Sequence, residues 1–203
     1  MNEPSVRILM SKKITIIQGH PDPVVRHFGH ALADAYARGA AIAGHEVKRI
    51  EIAQLDFPLL HSQTDWNSGR PPAGLRTAQA DIAWADHLVL IFPLWLGTMP
   101  ALVKAFLEQV FRPGFALIYE GHRFPQKGLT GKSARVVATM GLPAFWYRWY
   151  FRAHGVRGLE RSILGFCGVK PVRETLIGLV ETKDDAAREK WLHQLEAHGR
   201  AAD

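Results

Sequence analysis

Three short stretches hold residues whose types and spacing could do chemistry. The first is His20-Pro21-Asp22-Pro23 with Arg26, His27 and Phe28, a proline-stiffened turn just ahead of an amphipathic segment. A turn that opens onto a helix offers unpaired N–H groups and the positive end of the helix dipole, which bind phosphate without a lysine. His20, Arg26 and His27 can add donors there. The second stretch, Pro93-Leu94-Trp95-Leu96-Gly97-Thr98, is unusually apolar for a loop and could lie against a flat ring. Taken alone, Trp95 could equally pack on the neighbouring helix. The third, Thr139-Met140-Gly141, offers a hydroxyl and closely approaching backbone N–H groups to a polar ring edge. After it, residues 145–151 place six aromatics in seven positions, either a substrate wall or an element buried between subunits. His27 and His30 are three apart on a helix face, but no Cys or carboxylate cluster accompanies them, so no metal is expected.

These stretches need elements to position them. Lys12 to Gly19 is a β-branched run ending in Gly, a buried strand. Val25, Phe28, Leu32, Ala35 and Gly39 mark a helix over Val24–Ala43, closed by Gly44, and Val47–Ile52 is a second strand. Residues 53–74 are an irregular excursion, followed by a helix carrying Leu75, Ala78, Ile82 and Ala85. Leu88–Phe92 is a strand that stops at Pro93. A helix begins at Met99–Pro100, with Leu102, Val103, Phe106, Leu107 and Val110 at helical spacing. Phe115–Phe124 reads as a hairpin or flap with Glu120-Gly121 at its tip. Ala134–Thr139 and Glu174–Val180 complete the strands, with a helix ending at Gly168 between them. Thr182–Asp185 resembles a capping box for a closing helix.

Strand–helix alternation of this kind implies a parallel sheet between helices. The expected fold is α/β, a flavodoxin-like three-layer sandwich with a five-stranded parallel sheet in order 2-1-3-4-5. Residues 1–203 are read as a single domain, with residues 1–12 a flexible N-terminal arm. In that topology the ends of strands one, three and four meet at one sheet edge, bringing the three stretches together. A phosphate pocket, an apolar wall and a polar rim describe a flavin mononucleotide site better than a simple sugar or metal site.

Composition bounds the alternatives. Hydrophobic residues make up 47% and charged residues 22%, which is ordinary globular usage. The net charge of +6 favours anionic partners, phosphorylated cofactors among them. Scattered basic residues without a recognition motif point to a solvated face rather than to nucleic-acid binding. One cysteine, Cys167, excludes an internal disulfide framework and reads as a small buried thiol in a reducing, cytoplasmic setting. Neither a secretory signal nor a membrane-length apolar run is visible, so no membrane insertion is expected. GxSxG, Walker A and GxGxxG patterns are missing, which removes the signatures of hydrolase, P-loop and Rossmann chemistry.

Phe92-Pro93-Leu94-Trp95-Leu96-Gly97-Thr98-Met99-Pro100-Ala101, the helix after it and Pro113-Gly114-Phe115-Ala116 resemble the NAD(P)H dehydrogenase (quinone) family of flavodoxin-like flavoproteins. Gly19-His20-Pro21 and Ile163-Leu164-Gly165-Phe166-Cys167-Gly168 are similar to two further family segments, and the match runs from about residue 13 to 180. The resemblance implies FMN or FAD as cofactor, NAD(P)H as hydride donor, a quinone-like acceptor and a homodimer. It puts His20, His27 and Phe28 on the phosphate loop, Pro93, Leu94, Trp95 and Leu96 on the isoalloxazine loop, and Thr139, Met140 and Gly141 on the second ring-edge loop.

The chain departs from the family at several of these positions. His27-Phe28-Gly29 stands where Ser-Phe-Asn is common, Leu96 replaces a second aromatic, and Thr-Gly-Gly becomes Thr139-Met140-Gly141. The Tyr and His that assist proton transfer in the family correspond to Trp146 or Tyr147 and to His154. Phe115, Phe145 and Trp146 are expected to form an apolar lid over nicotinamide and acceptor, with Tyr147, His154 or water as proton donor. An alternative reading is a low-turnover, flavin-binding ancillary subunit of an ion-efflux or stress-response system. A one-electron carrier is disfavoured by the basic charge and the His-Pro-Asp-Pro loop.

Overall fold

A computed structural model describes residues 11–68, 70–119 and 125–203. The expected arm lies outside them except for its last two residues, which are tied down: Ser11 Oγ donates to Gly44 O and Lys12 Nζ to Ala202 O. In chain order the elements are β1 (Lys13–Gln18), α1 (Phe28–Ile42), β2 (Glu46–Glu51), α2 (Gln63–Asn67), α3 (Arg76–Trp84), β3 (His87–Pro93) and α4 (Ala101–Val110). A hairpin, β4 (Leu117–Ile118) and β5 (Gln126–Lys127), precedes β6 (Ser133–Thr139). Then come α5 (Ala144–Trp149), α6 (His154–Gly158), a π-helical stretch Leu159–Leu164, one turn α7 (Gly165–Cys167), β7 (Val172–Ile177) and α8 (Asp185–Ala201).

Five parallel strands form one sheet in the order β2-β1-β3-β6-β7, and β4 and β5 pair only with each other. The hairpin takes two strand numbers, so the observed order reads 2-1-3-6-7 where a count of five strands had expected 2-1-3-4-5. Both faces of the sheet are covered, as all-parallel sheets require. Ile14, Ile16, Val89, Ile91 and Val137 point to α1 and α8, while Ile17, Leu88, Leu90, Phe92 and Val136 point to the face carrying α3 and α4. The register sets Ile91 beside both Gln18 and Val137, so β1, β3 and β6 end side by side.

Several boundaries differ from the sequence expectation, each for a local reason. Helix α1 begins at Phe28 rather than Val24, because Asp22 Oδ1 accepts the Val24 and Val25 N–H groups at 2.9 and 3.2 Å and holds a turn there. Strand β7 ends at Ile177 rather than Val180, where Leu179 turns into the left-handed region at φ 56°. Asp184, not Thr182, caps α8, accepting Ala187 N–H at 2.8 Å. The excursion 53–74 is anchored by the buried Arg112, which donates to Asp65 O and Ser68 Oγ. Its partners satisfy a guanidinium that could not be buried bare. The expected flap tip, Glu120-Gly121, lies outside the described residues.

Candidate functional site

The first loop is built on polar groups that the strand delivers to its end. Gln18, the last residue of β1, is 2% exposed; its Oε1 accepts His20 N–H at 3.0 Å, and its Nε2 has no partner among the described residues. A buried donor without an acceptor costs about 1–3 kcal/mol unless something supplies one. Gly29 in the first turn of α1 lies over it, with its Cβ position 3.6 Å from Nε2. The N–H groups of Phe28 and Gly29, first in the helix, have no intrahelical acceptor.

Histidines line the same loop. The rings of His20 and His27 stack at 3.6 Å, and His30 lies 5.9 Å from His20. Burial, with His27 and His30 nearby, pulls the His20 pKa down to about 4, so this imidazole is neutral at pH 7. Its Nδ1 accepts Asp22 N–H at 3.1 Å, which leaves the proton on Nε2 as a neutral donor. His27 Nε2 meets Asp22 Oδ2 at 2.8 Å, and this bond, with the Val24 and Val25 amides, draws Asp22 down to about 2. His30 Nδ1 in turn accepts His27 N–H at 3.0 Å. The loop thus holds a neutral imidazole, an unpaired amide donor and free helix N–H groups, a donor set that suits an anionic oxygen.

Two residues expected on this loop are placed differently. Arg26 turns along α1 and pairs with Asp34, which also takes Arg49, so its guanidinium serves the helix surface rather than the loop. The Phe28 ring packs into the core between α1 and α8, with the Arg188 guanidinium 6.0 Å away over it. Its backbone N–H remains its contribution.

The second loop is a tight turn. Trp95 N–H donates to Thr98 O at 2.9 Å and Thr98 N–H returns to Trp95 O at 3.1 Å. The residues between, Leu96 at φ 49° and Gly97 at φ 78°, are both left-handed, as a two-residue hairpin turn requires. Glycine adopts this conformation freely; leucine does so at a cost of about 1–2 kcal/mol. Its side chain is nonetheless fully exposed. Trp95 is 50% exposed, and its ring meets His20 edge-on at 6.2 Å, which joins the first two loops. Leu94 N–H donates to Thr139 O at 2.7 Å and joins the second loop to the third.

The turn is held from below. Tyr147, expected as a proton donor, is 1% exposed; its hydroxyl donates to Gly97 O at 2.9 Å and accepts Val156 N–H at 3.3 Å. Both functions of the hydroxyl are taken, so it props the turn against α6 instead of meeting a substrate. Gly155 packs on the same turn so closely that a Cβ would lie 2.2 Å from Gly97 O. His154 is exposed and lines a cleft of about 720 Å³ with Trp95, Leu96, Met99, Lys104 and Ile163.

On the third loop, Thr139 and Gly141 stand at the sheet edge, but Met140 does not serve it. The Met140 side chain is buried in the core, its N–H donates to Ile177 O at 2.9 Å and its carbonyl accepts Val180 N–H. Strand β7 claims that backbone. Phe145 and Trp146 are exposed on α5, next in the chain. Phe115 packs half-buried against the core at the base of the hairpin and does not line the cleft beside Trp95. Among the described residues no cluster of ligating side chains could hold a metal, and no helix is long and apolar enough to cross a membrane.

Sequence reasoning missed Gln18 and Gly155 and gave Asp22 only a turn. A polar residue closing an otherwise apolar strand was the available signal for Gln18. No sequence signal marks Gly155, whose role depends on a turn nearly 60 residues earlier in the chain.

Comparison with known proteins identifies the fold family. Residues 12–199 match the family model described as the flavodoxin-like fold. The chain is 28% identical over 182 residues to a Haemophilus influenzae protein named "Uncharacterized NAD(P)H oxidoreductase", covering 87% of this chain and 89% of that one. It is 30% identical over 138 residues to the FMN-dependent NADH:quinone oxidoreductase 1 of a Jannaschia species, covering 62% of this chain and 70% of the relative. The crystal structure of Smu.1420 from Streptococcus mutans superposes with a TM-score of 0.77 at 28% identity, over 93% of this chain and 98% of that one. With the parallel sheet and the three loops at its edge, the match over nearly its whole length means that this chain belongs to the flavodoxin-like fold family.

Proposed function

We propose that this chain is a flavin-dependent NAD(P)H oxidoreductase of the quinone-reductase type, passing hydride from NAD(P)H through FMN or FAD to a quinone-like acceptor. The observation that carries the reading is the pairing, across 6.2 Å, of a loop rich in unpaired donors at His20 with the half-exposed ring of Trp95. The oxidoreductase and quinone-oxidoreductase names of the relatives support it. The chemistry of the donor set fits a flavin phosphate, and the orphaned Gln18 Nε2 is a donor waiting for an acceptor at that end.

Bound flavin supplies the hydride chemistry. The protein's share is to bind, orient and exclude water. His20 Nε2–H and the N–H groups of Phe28 and Gly29 hold the phosphate, assisted by the helix dipole, while His27, engaged by Asp22, fixes the loop. Pro93, Leu94, Trp95 and Leu96 cover a ring face and keep water from it. Thr139 Oγ1 and the Gly141 N–H serve the polar ring edge, where fixed donors stabilise negative charge without reorganising. Phe145 and Trp146 form the apolar wall on which nicotinamide and acceptor alternate. His154, at the mouth of the cleft, carries the proton for the reduced acceptor on its imidazole. Tyr147 positions the turn.

The chain works as one domain and as a homodimer, pairing along the groove between α4 and the π-helical stretch, where Leu96 and Phe166 are exposed. Its compartment is the cytoplasm. The test is anaerobic: NADH or NADPH added to flavin-loaded protein bleaches the flavin, and a benzoquinone restores the colour. A yellow protein that neither nucleotide bleaches contradicts the enzyme reading and leaves the low-turnover ancillary subunit.

A further inference from the structure

Past the wall formed by Phe145 and Trp146, the exposed aromatic surface running from the end of α5 to α6 has no part in the mechanism. Phe145, Trp146, Trp149, Tyr150 and Phe151 are all substantially exposed, Trp149 by 76% and Tyr150 by 62%. Four of them form one connected cluster: Trp146 stacks on Tyr150 at 5.3 Å and lies 6.4 Å from Trp149, and Tyr150 meets Phe151 edge-on at 4.9 Å. An exposed apolar patch of this density on a folded surface marks an interaction site.

Charge identifies the partner. From Gly141 to Leu159 the sequence has Arg148, Arg152, Arg157 and His154 but no Asp or Glu. Arg148 pairs with Glu174 at 2.7 Å, whereas Arg152 and Arg157 are exposed and have no ion-pair partner among the described residues. Along this stretch the charged groups are Arg148, paired with Glu174, then Arg152, His154 and Arg157, with Glu160 following on the π-helical stretch. Trp and Tyr, apolar in body and polar at one edge, with arginines interleaved, make up the composition that lies at a membrane–water boundary. A second copy fits poorly: two-fold pairing brings a patch onto itself, which would bring two basic surfaces together without an acid from either.

We propose that the aromatic and arginine face made by Trp149, Tyr150, Phe151, Arg152 and Arg157 docks the protein on the surface of an anionic lipid bilayer, without insertion of a spanning segment. Tyr147 joins α5 to the Trp95–Thr98 turn, so the docked face borders the candidate site. On the functional reading above, this admits acceptors whose apolar tails keep them in the bilayer. The docking itself does not depend on that reading, because it is measured without flavin.

The experiment is co-sedimentation of the full-length apoprotein with vesicles of phosphatidylcholine alone or mixed with phosphatidylglycerol, with tryptophan emission recorded in parallel. Expected is binding to the mixed vesicles that weakens with salt, accompanied by a blue shift. Each basic residue near such a surface contributes about 1 kcal/mol, so Arg152→Glu lowers the vesicle partition coefficient about tenfold or more. Trp149→Ser with Tyr150→Ser removes the blue shift. Three results overturn the proposal: wild-type protein that stays in the supernatant of both vesicle types, retention of a DNA oligonucleotide in preference to vesicles, or a solution dimer in which Trp149 is shielded from quencher. Flavin uptake by the same preparation is scored separately, so loss of docking and loss of the cofactor site are told apart.

Discussion

Replacing Tyr147 by Phe separates a prop from a proton donor. The change deletes one oxygen that donates to Gly97 O at 2.9 Å and accepts from the buried Val156 N–H at 3.3 Å. The Gly97 carbonyl loses a donor, and the buried Val156 N–H is left without its acceptor, a loss of about 1–2 kcal/mol. For a chain of this length each kcal/mol moves Tm by about 2–4 °C, so the apoprotein should melt about 2–8 °C lower. The turn above loses its tie to α6, and Leu96, held left-handed at φ 49°, is released. Flavin affinity should fall with it, by up to about 30-fold for the same free energy. Differential scanning calorimetry of the apoprotein and a flavin titration measure both. Unchanged Tm and affinity, with acceptor reduction losing its pH dependence, would show that the hydroxyl gives its proton to substrate and that the positioning argument is wrong.

Other perturbations reach the remaining parts of the site. Gly155→Ala drives a Cβ to within 2.2 Å of Gly97 O, and the turn must move; flavin affinity should fall at least tenfold, and an unchanged titration contradicts the contact. Gln18→Glu keeps the acceptor for His20 N–H but replaces the unpaired donor with an anion; it should weaken FMN binding far more than riboflavin binding, as isothermal titration of both would show. The pKa values of His20 and His87 lie at about 4 and about 3 in the fold, lowered chiefly by burial from an ordinary value of 6.5. Their unfolded forms bind protons first, so stability is complete above pH 6.5 and is lost as pH falls through 4 and 3. Urea midpoints should decline over that range, less steeply in His87→Gln, and equal slopes would exclude His87 as a source. Burial pushes the Cys167 thiol up to about 11, so it should resist a thiol reagent at pH 8 until urea unfolds the chain; reaction in native buffer contradicts its placement.

Much of the fold was legible because parallel strands are buried on both faces and read as unbroken apolar runs. Leu88 to Phe92 is such a run and Ile14 to Ile17 is broken only by the β-branched Thr15, and the helices between them carry 3.6-residue periodicity. The start of α1 was not legible, because Val24 and Val25 continue the periodic pattern while an Asp22 side chain removes their amides from the helix. Convergence of the three loops followed from topology alone. What each side chain does there did not. In Phe145–Phe151 the sequence cannot tell which aromatic turns inward, and the one that does, Tyr147, had been assigned chemistry that burial denies it. Arg26 and Met140 failed similarly: Asp34, eight residues on in α1, claims the first, and the carbonyl of Ile177 on a neighbouring strand claims the backbone of the second. Gln18 gained a role through a missing bond, which only three-dimensional placement reveals.

The central claim is that one sheet edge, with Trp95 over the ring and His20 and Gln18 at the phosphate, holds a flavin. Titrating the purified apoprotein with FMN, and with FAD, while following flavin fluorescence tests it most directly. The account predicts saturable one-to-one quenching by at least one of the two, strongly weakened in Trp95→Leu although that variant melts like wild type. Absence of saturable binding by either flavin, or a Trp95→Leu titration that overlays wild type, would contradict it.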